Sequence, residues 1–90
     1  MDRHPHPEEL FDFPCDFMFK AFGPNDELFP VAVRAAVEEV ISVPLDALRL
    51  RQSGKGTYVC VSILVRLQAY SQVQAIYASL RRVDGLKYLL

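Results

Sequence analysis

The stretch SGKGTYVCVSILVRL, residues 53 to 67, opens with a Gly-Lys-Gly cluster that could hold phosphate and runs into a β-branched segment that could sit in an RNA-reading sheet. A phosphate loop needs GxxxxGK[ST] between a buried strand and a helix, because its NH groups close on phosphate only at that helix's N-terminus. Here Gly54 and Gly56 are two apart and a strand-like run follows. The cluster instead predicts a hairpin turn, with glycine supplying positive φ or a bulge. Lys55 and Gly56 match the start of the RNP1 signature, but its base-stacking positions hold Thr57 and Val59, and Tyr58 stands where a small residue belongs. What remains for nucleic acid is weak contact through Lys20, Arg49, Arg51, Arg66 and Lys87, so RNA ranks last among the partners considered.

The other reactive side chains do not form a constellation. His4 and His6 are two histidines without further fixed ligands, too few for a metal site. Cys15 and Cys60 lack CxxC spacing, and strand parity puts them on opposite faces of neighbouring strands, so no disulfide is expected. No histidine follows residue 6 to activate either thiol. Asp16, Asp26, Asp46 and Asp84 fall at turns or element ends, where capping explains them. No catalytic residue, metal or cofactor is nominated, and an enzyme is not expected.

Ten Lys and Arg against eleven Asp and Glu give a net charge of -1, so no global field draws the chain to nucleic acid or anionic lipid. With 51% apolar and 23% charged residues, the 90-residue chain has the balance of a globular domain and the length for a single core. The apolar runs fall well short of the roughly 20 residues a membrane helix needs, and the start lacks a secretory pattern. The expectation is a soluble cytoplasmic protein.

These side chains are positioned by a readable series of elements. Residues 1–10 carry prolines, histidines and acids without period, which predicts a disordered tail before a single domain at 11–90. Residues 13–22 alternate as a strand, Cys15, Phe17, Phe19 and Ala21 on one face, Met18, Lys20 and Phe22 on the other. GPND turns the chain and offers Asp26 as a helix cap. Phe29, Val33, Ala36, Val37, Val40 and Ile41 make a helical stripe, with Pro44 at its end. Residues 47–67 read as a hairpin whose second strand directs Val59, Val61, Ile63, Val65 and Leu67 to the core. Ser71 with Gln74 suggests a capping box before the stripe Val73, Ile76, Tyr77, Leu80 and Val83, and Gly85 leads into a last strand, LKYLL.

Strand, helix, strand, strand, helix, strand predicts an α+β, ferredoxin-like βαββαβ two-layer sandwich with antiparallel order 4-1-3-2 and both helices on one face. The other face is then bare. Met18, Phe22, Tyr58, Cys60, Leu64 and Leu89 are expected there among charges, a patch suited to association with a second copy or another protein.

FPCDFMFKAFG at 13–23, SGKGTYVCVSI at 53–63 and VQAIYASLRRVDGLKYLL at 73–90 together resemble the YbeD-like family of small bacterial proteins. The chain departs from that family's pattern at Gln72, Cys60 and Tyr88, where Glu, Ser and Met are common. The resemblance implies a fold similar to ACT regulatory domains and no established reaction. By analogy with amino-acid-like effectors bound near the first strand–helix loop of ACT domains, it points to Gly23, Asn25 and Asp26 as effector-binding positions.

Overall fold

The computed structural model describes residues 11–90, so the expected tail at 1–10, with His4 and His6, lies outside the described residues. The elements are β1 (Cys15–Pro24), α1 (Leu28–Glu38), a 3-10 turn (Leu45–Ala47), β2 (Leu48–Gln52), β3 (Tyr58–Leu67), α2 (Tyr70–Leu80) and β4 (Tyr88–Leu89). They form one antiparallel sheet in the order β2-β3-β1-β4, which is 4-1-3-2 read from the other edge. Both helices cover the same face, as the ferredoxin-like reading requires.

Strand parity decides the architecture. Phe19, Ala21, Val59, Val61, Ile63, Val65 and Leu67 are buried against Phe29, Val33 and Val37 of α1 and Val73, Ile76 and Leu80 of α2. Slipping β3 by one residue would expose five buried side chains. At roughly 1.5–3 kcal/mol each, that loss rivals the whole stability of a domain this size. Along its full length β3 pairs with β1, from Cys15 opposite Leu67 to Pro24 opposite Tyr58.

Local departures from the sequence reading have local causes. Helix α1 ends at Glu38 and not at Pro44. The run Val40-Ile41-Ser42-Val43, β-branched at Val40, Ile41 and Val43, propagates helix poorly, and the Arg34 guanidinium holds the Val43 carbonyl outside the helix at 2.7 Å and 3.2 Å. Pro44 then precedes the 3-10 turn. The Ser71–Gln74 box does not form, because α2 begins two residues earlier than that box requires, behind Ala69, which has no side-chain oxygen. Gln72 Oε1 instead accepts from the Gln68 NH at 2.6 Å. In the hairpin only Gly56 has positive φ, and Gly85, also positive, turns the chain from α2 toward β4.

Ser79 is the buried polar side chain of the described core. Its hydroxyl donates to the Ala36 carbonyl at 2.8 Å and also lies in short contact with the Glu39 carboxylate, which in turn pairs with Arg82. Past residue 38 the NH of Val40 turns to Val37, so α2 supplies the partner that the end of α1 leaves wanting.

Candidate functional site

The face of the sheet away from the helices is built in cross-strand rows. Leu64 lies opposite Met18, and both are close to half exposed, at 46% and 44%. The next row sets Arg49 opposite Ser62 and Ser62 opposite Lys20, while Lys20 and Leu90 exchange backbone hydrogen bonds of 3.0 Å and 2.8 Å. Beyond it, Arg51 lies opposite Cys60, Cys60 opposite Phe22, and Phe22 opposite Tyr88, whose rings are 5.8 Å apart. Tyr58 closes this end opposite Pro24. At the other end Arg66 meets Asp16 across 3.4 Å of exposed surface, a pair worth about 0–1 kcal/mol.

Five of the six expected residues, Met18, Phe22, Tyr58, Cys60 and Leu64, therefore share this face. Leu89 does not. It pairs with Ala21 and packs against the core, and Tyr88 takes the outward place beside Phe22. The segment LKYLL carries apolar residues on both parities, so alternation could not settle its register; the turn at Gly85 and the pairing with β1 do. Tyr88 and Leu90, exposed on the outer face, are the members the sequence reading missed.

Gly23, Asn25 and Asp26 come together at the end of β1, each with a structural task. A Cβ on Gly23 would lie 2.8 Å from Cδ1 of the Phe29 ring and nearer still to its Cε1 and Cζ, so glycine lets α1 close on the sheet. Asn25 Nδ2 donates to the Gly56 carbonyl at 2.8 Å and its NH to Thr57, tying this loop to the hairpin. Asp26 Oδ1 accepts from the NH groups of Leu28 and Phe29 at 3.0 Å and 2.8 Å, capping α1 as expected. Beside them Asp26, Phe29, Asp84 and Gly85 bound a shallow pocket of about 360 Å³.

Cys15 and Cys60 are both free thiols. Val59, one of the would-be stacking positions, is buried under the helices. Among the described residues no three His, Cys, Asp or Glu side chains converge as a metal site would need, and no helix is long and apolar enough to cross a membrane.

Residues 8–90 match the family described as protein of unknown function (DUF493). The chain belongs to the DUF493 family. Its relatives include UPF0250 proteins of Shewanella woodyi, 36% identical, and Idiomarina loihiensis, 32% identical, each over 84 residues covering 92% of this chain and 93% of the relative. The YbeD-like resemblance of the sequence is thereby borne out. Among solved structures, this DUF493 chain is similar to the solution structure of a protein from H. pylori, with a TM-score of 0.70 at 12% identity, covering 100% of this chain and 98% of that one. It is also similar to the crystal structure of the ACT domain from GTP pyrophosphokinase of Chlorobium tepidum, with a TM-score of 0.60 at 11% identity over 84% of this chain and 97% of that one. At such identities the likeness establishes the ACT-like fold.

Proposed function

We propose that this domain is a non-catalytic regulatory or protein-interaction module that associates through its open sheet face, with a second copy or with another protein. One observation carries the reading: Met18, Leu64, Tyr58, Tyr88 and Leu90 stand exposed on adjoining strands of one face, with Phe22 half-buried among them. Two apolar clusters, Met18 with Leu64 and Phe22 with Tyr58 and Tyr88, stand on either side of the Arg49–Ser62–Lys20 row, and apolar side chains mixed with charge in this way suit an association surface. The free edge at β2 offers a second route, since Leu50 is 55% exposed although it points to the helix side.

Salt separates the two kinds of partner. Two copies packed face to face bring Lys20, Arg49 and Arg51 of each toward the other, so a self-dimer tightens as salt screens them, whereas an acidic foreign partner loosens. Sedimentation of the full chain with and without Leu64→Lys tests the face, and Leu50→Lys tests the edge.

A second reading, an amino-acid-like effector near Gly23, Asn25 and Asp26, draws support from the pocket bounded by Asp26 and Asp84, two carboxylates suited to an ammonium group. A thermal-shift panel of amino acids tests it, because a ligand of the native state raises the Tm. No shift with any member removes that reading.

A further inference from the structure

The outer face of β3 reads Tyr58, Cys60, Ser62, Leu64, Arg66, with two small side chains together in mid-strand. Phe22 and Lys20 on β1, Arg51 on β2, Tyr58 on β3 and Leu90 beyond β4 are all larger and ring Cys60. The result is a depression of about 360 Å³ floored by Cys60 and walled by Phe22, Tyr58, Lys20, Arg51 and Leu90, enough for a ring-sized ligand. Cys60 Sγ is 3.8 Å from Ser62 Oγ, a weak hydrogen bond, and Gln52 and Ser53 add polar groups at the β2–β3 end of the depression.

Two cations, Lys20 and Arg51, stand at the rim. Ion pairs among the described residues join Arg34 to Glu38, Arg66 to Asp16 and Arg82 to Glu39, and none involves Lys20 or Arg51. Those two cations come from the strands on either side of β3 and border the same apolar floor. A cationic ligand is repelled there, and a neutral apolar one leaves both charges unused.

We propose that this depression binds a small organic anion, a flat apolar body of about one ring carrying a carboxylate or phosphate at one end. The body lies over Cys60 between the Phe22 and Tyr58 rings, and the anionic end meets Lys20 and Arg51. The site is on the opposite side of the sheet from the pocket at Asp26 and Asp84 and does not rest on the docking reading: the depression is complete within one copy of the chain. Because it is half open, the affinity for a one-ring probe is on the order of 1 mM.

The test is a two-dimensional amide NMR titration of the full chain with phenyl phosphate, alongside inorganic phosphate and benzyl alcohol as its two halves. The expected result is saturable shifts at Lys20, Phe22, Arg51 and Cys60, with each half-probe at least about tenfold weaker. Arg51→Ala weakens binding about threefold to fivefold, as an exposed ion pair does. Cys60→Leu fills the depression and abolishes binding while the core resonances stay in place. Shifts that do not saturate, inorganic phosphate binding as tightly as phenyl phosphate, or unchanged binding by Cys60→Leu would overturn the proposal. Because the proposed association face includes Phe22, Tyr58 and Leu90, the titration is repeated with Leu64→Lys, which keeps that face uncovered; the same saturable shifts are expected there, whereas failure of the docking reading shows only in sedimentation.

Discussion

Gly23→Ala sets two effects of opposite sign against each other. Gly23 does not have positive φ, so alanine fits the backbone and, with free space around it, would stabilise the fold by about 0.4–1 kcal/mol through the unfolded chain. The space is not free: the new methyl meets the buried Phe29 ring, 2.8 Å from Cδ1 and closer to two other ring carbons. Overpacking of that kind costs about 1–3 kcal/mol, leaving a net loss of up to about 2.6 kcal/mol. At about 4–8 °C per kcal/mol for a domain of this size, the middle of that range lowers the Tm by about 5–10 °C. The assay is a double-mutant cycle in urea with Phe29→Leu, which removes the obstructing ring atoms. The two substitutions should couple by about 0.5–3 kcal/mol, the double variant being more stable than the sum of the singles predicts. A rise in Tm for Gly23→Ala, or additivity with Phe29→Leu, would refute the packing role and return Gly23 to the effector reading.

Neighbours on β3 should respond in opposite ways. Ile63→Ala, beneath the helices, should cost about 2–5 kcal/mol, while Leu64→Ala on the outer face should stay within about 0.5 kcal/mol in dilute solution; equal losses would contradict the parity. Ser79→Ala removes the donor that α2 gives to the Ala36 carbonyl, at about 1–3 kcal/mol, partly offset by the roughly 0.5 kcal/mol better helix propensity of alanine. Urea denaturation measures the difference, and an unchanged midpoint would mean the hydroxyl is not needed at the end of α1.

The sheet was legible wherever alternation was one-sided. Val59 to Leu67 places only β-branched and leucine side chains on one parity, and no other register buries them. The helical stripes were legible for the same reason, through Phe29, Val33 and Val37 and through Val73, Ile76 and Leu80. Legibility failed where both parities are apolar, as in LKYLL, so that Leu89 and Tyr88 exchanged faces. It failed again where a long-range bond sets a local boundary, as when Arg34 fixes the Val43 carbonyl and α1 stops early. A serine within an amphipathic helix carries no local mark of its partner 43 residues away, so Ser79 went unseen. The depression over Cys60 was present in the sequence as two small residues between large ones, but it became a site only when β1 and β2 brought Lys20 and Arg51 to its rim.

The central claim is that the bare side of the sheet is made for association, and its self-association form is tested most directly by sedimentation velocity over a concentration series, at low and high salt. The account predicts reversible association of the full chain that Leu64→Lys weakens. In a two-fold dimer the substitution acts twice, and because Leu64 is 46% exposed in the single chain, loss of about 0.7–1.4 kcal/mol per leucine weakens the dimer by about tenfold to a hundredfold. A single monomeric species throughout, or an oligomer indifferent to Leu64→Lys, would contradict it.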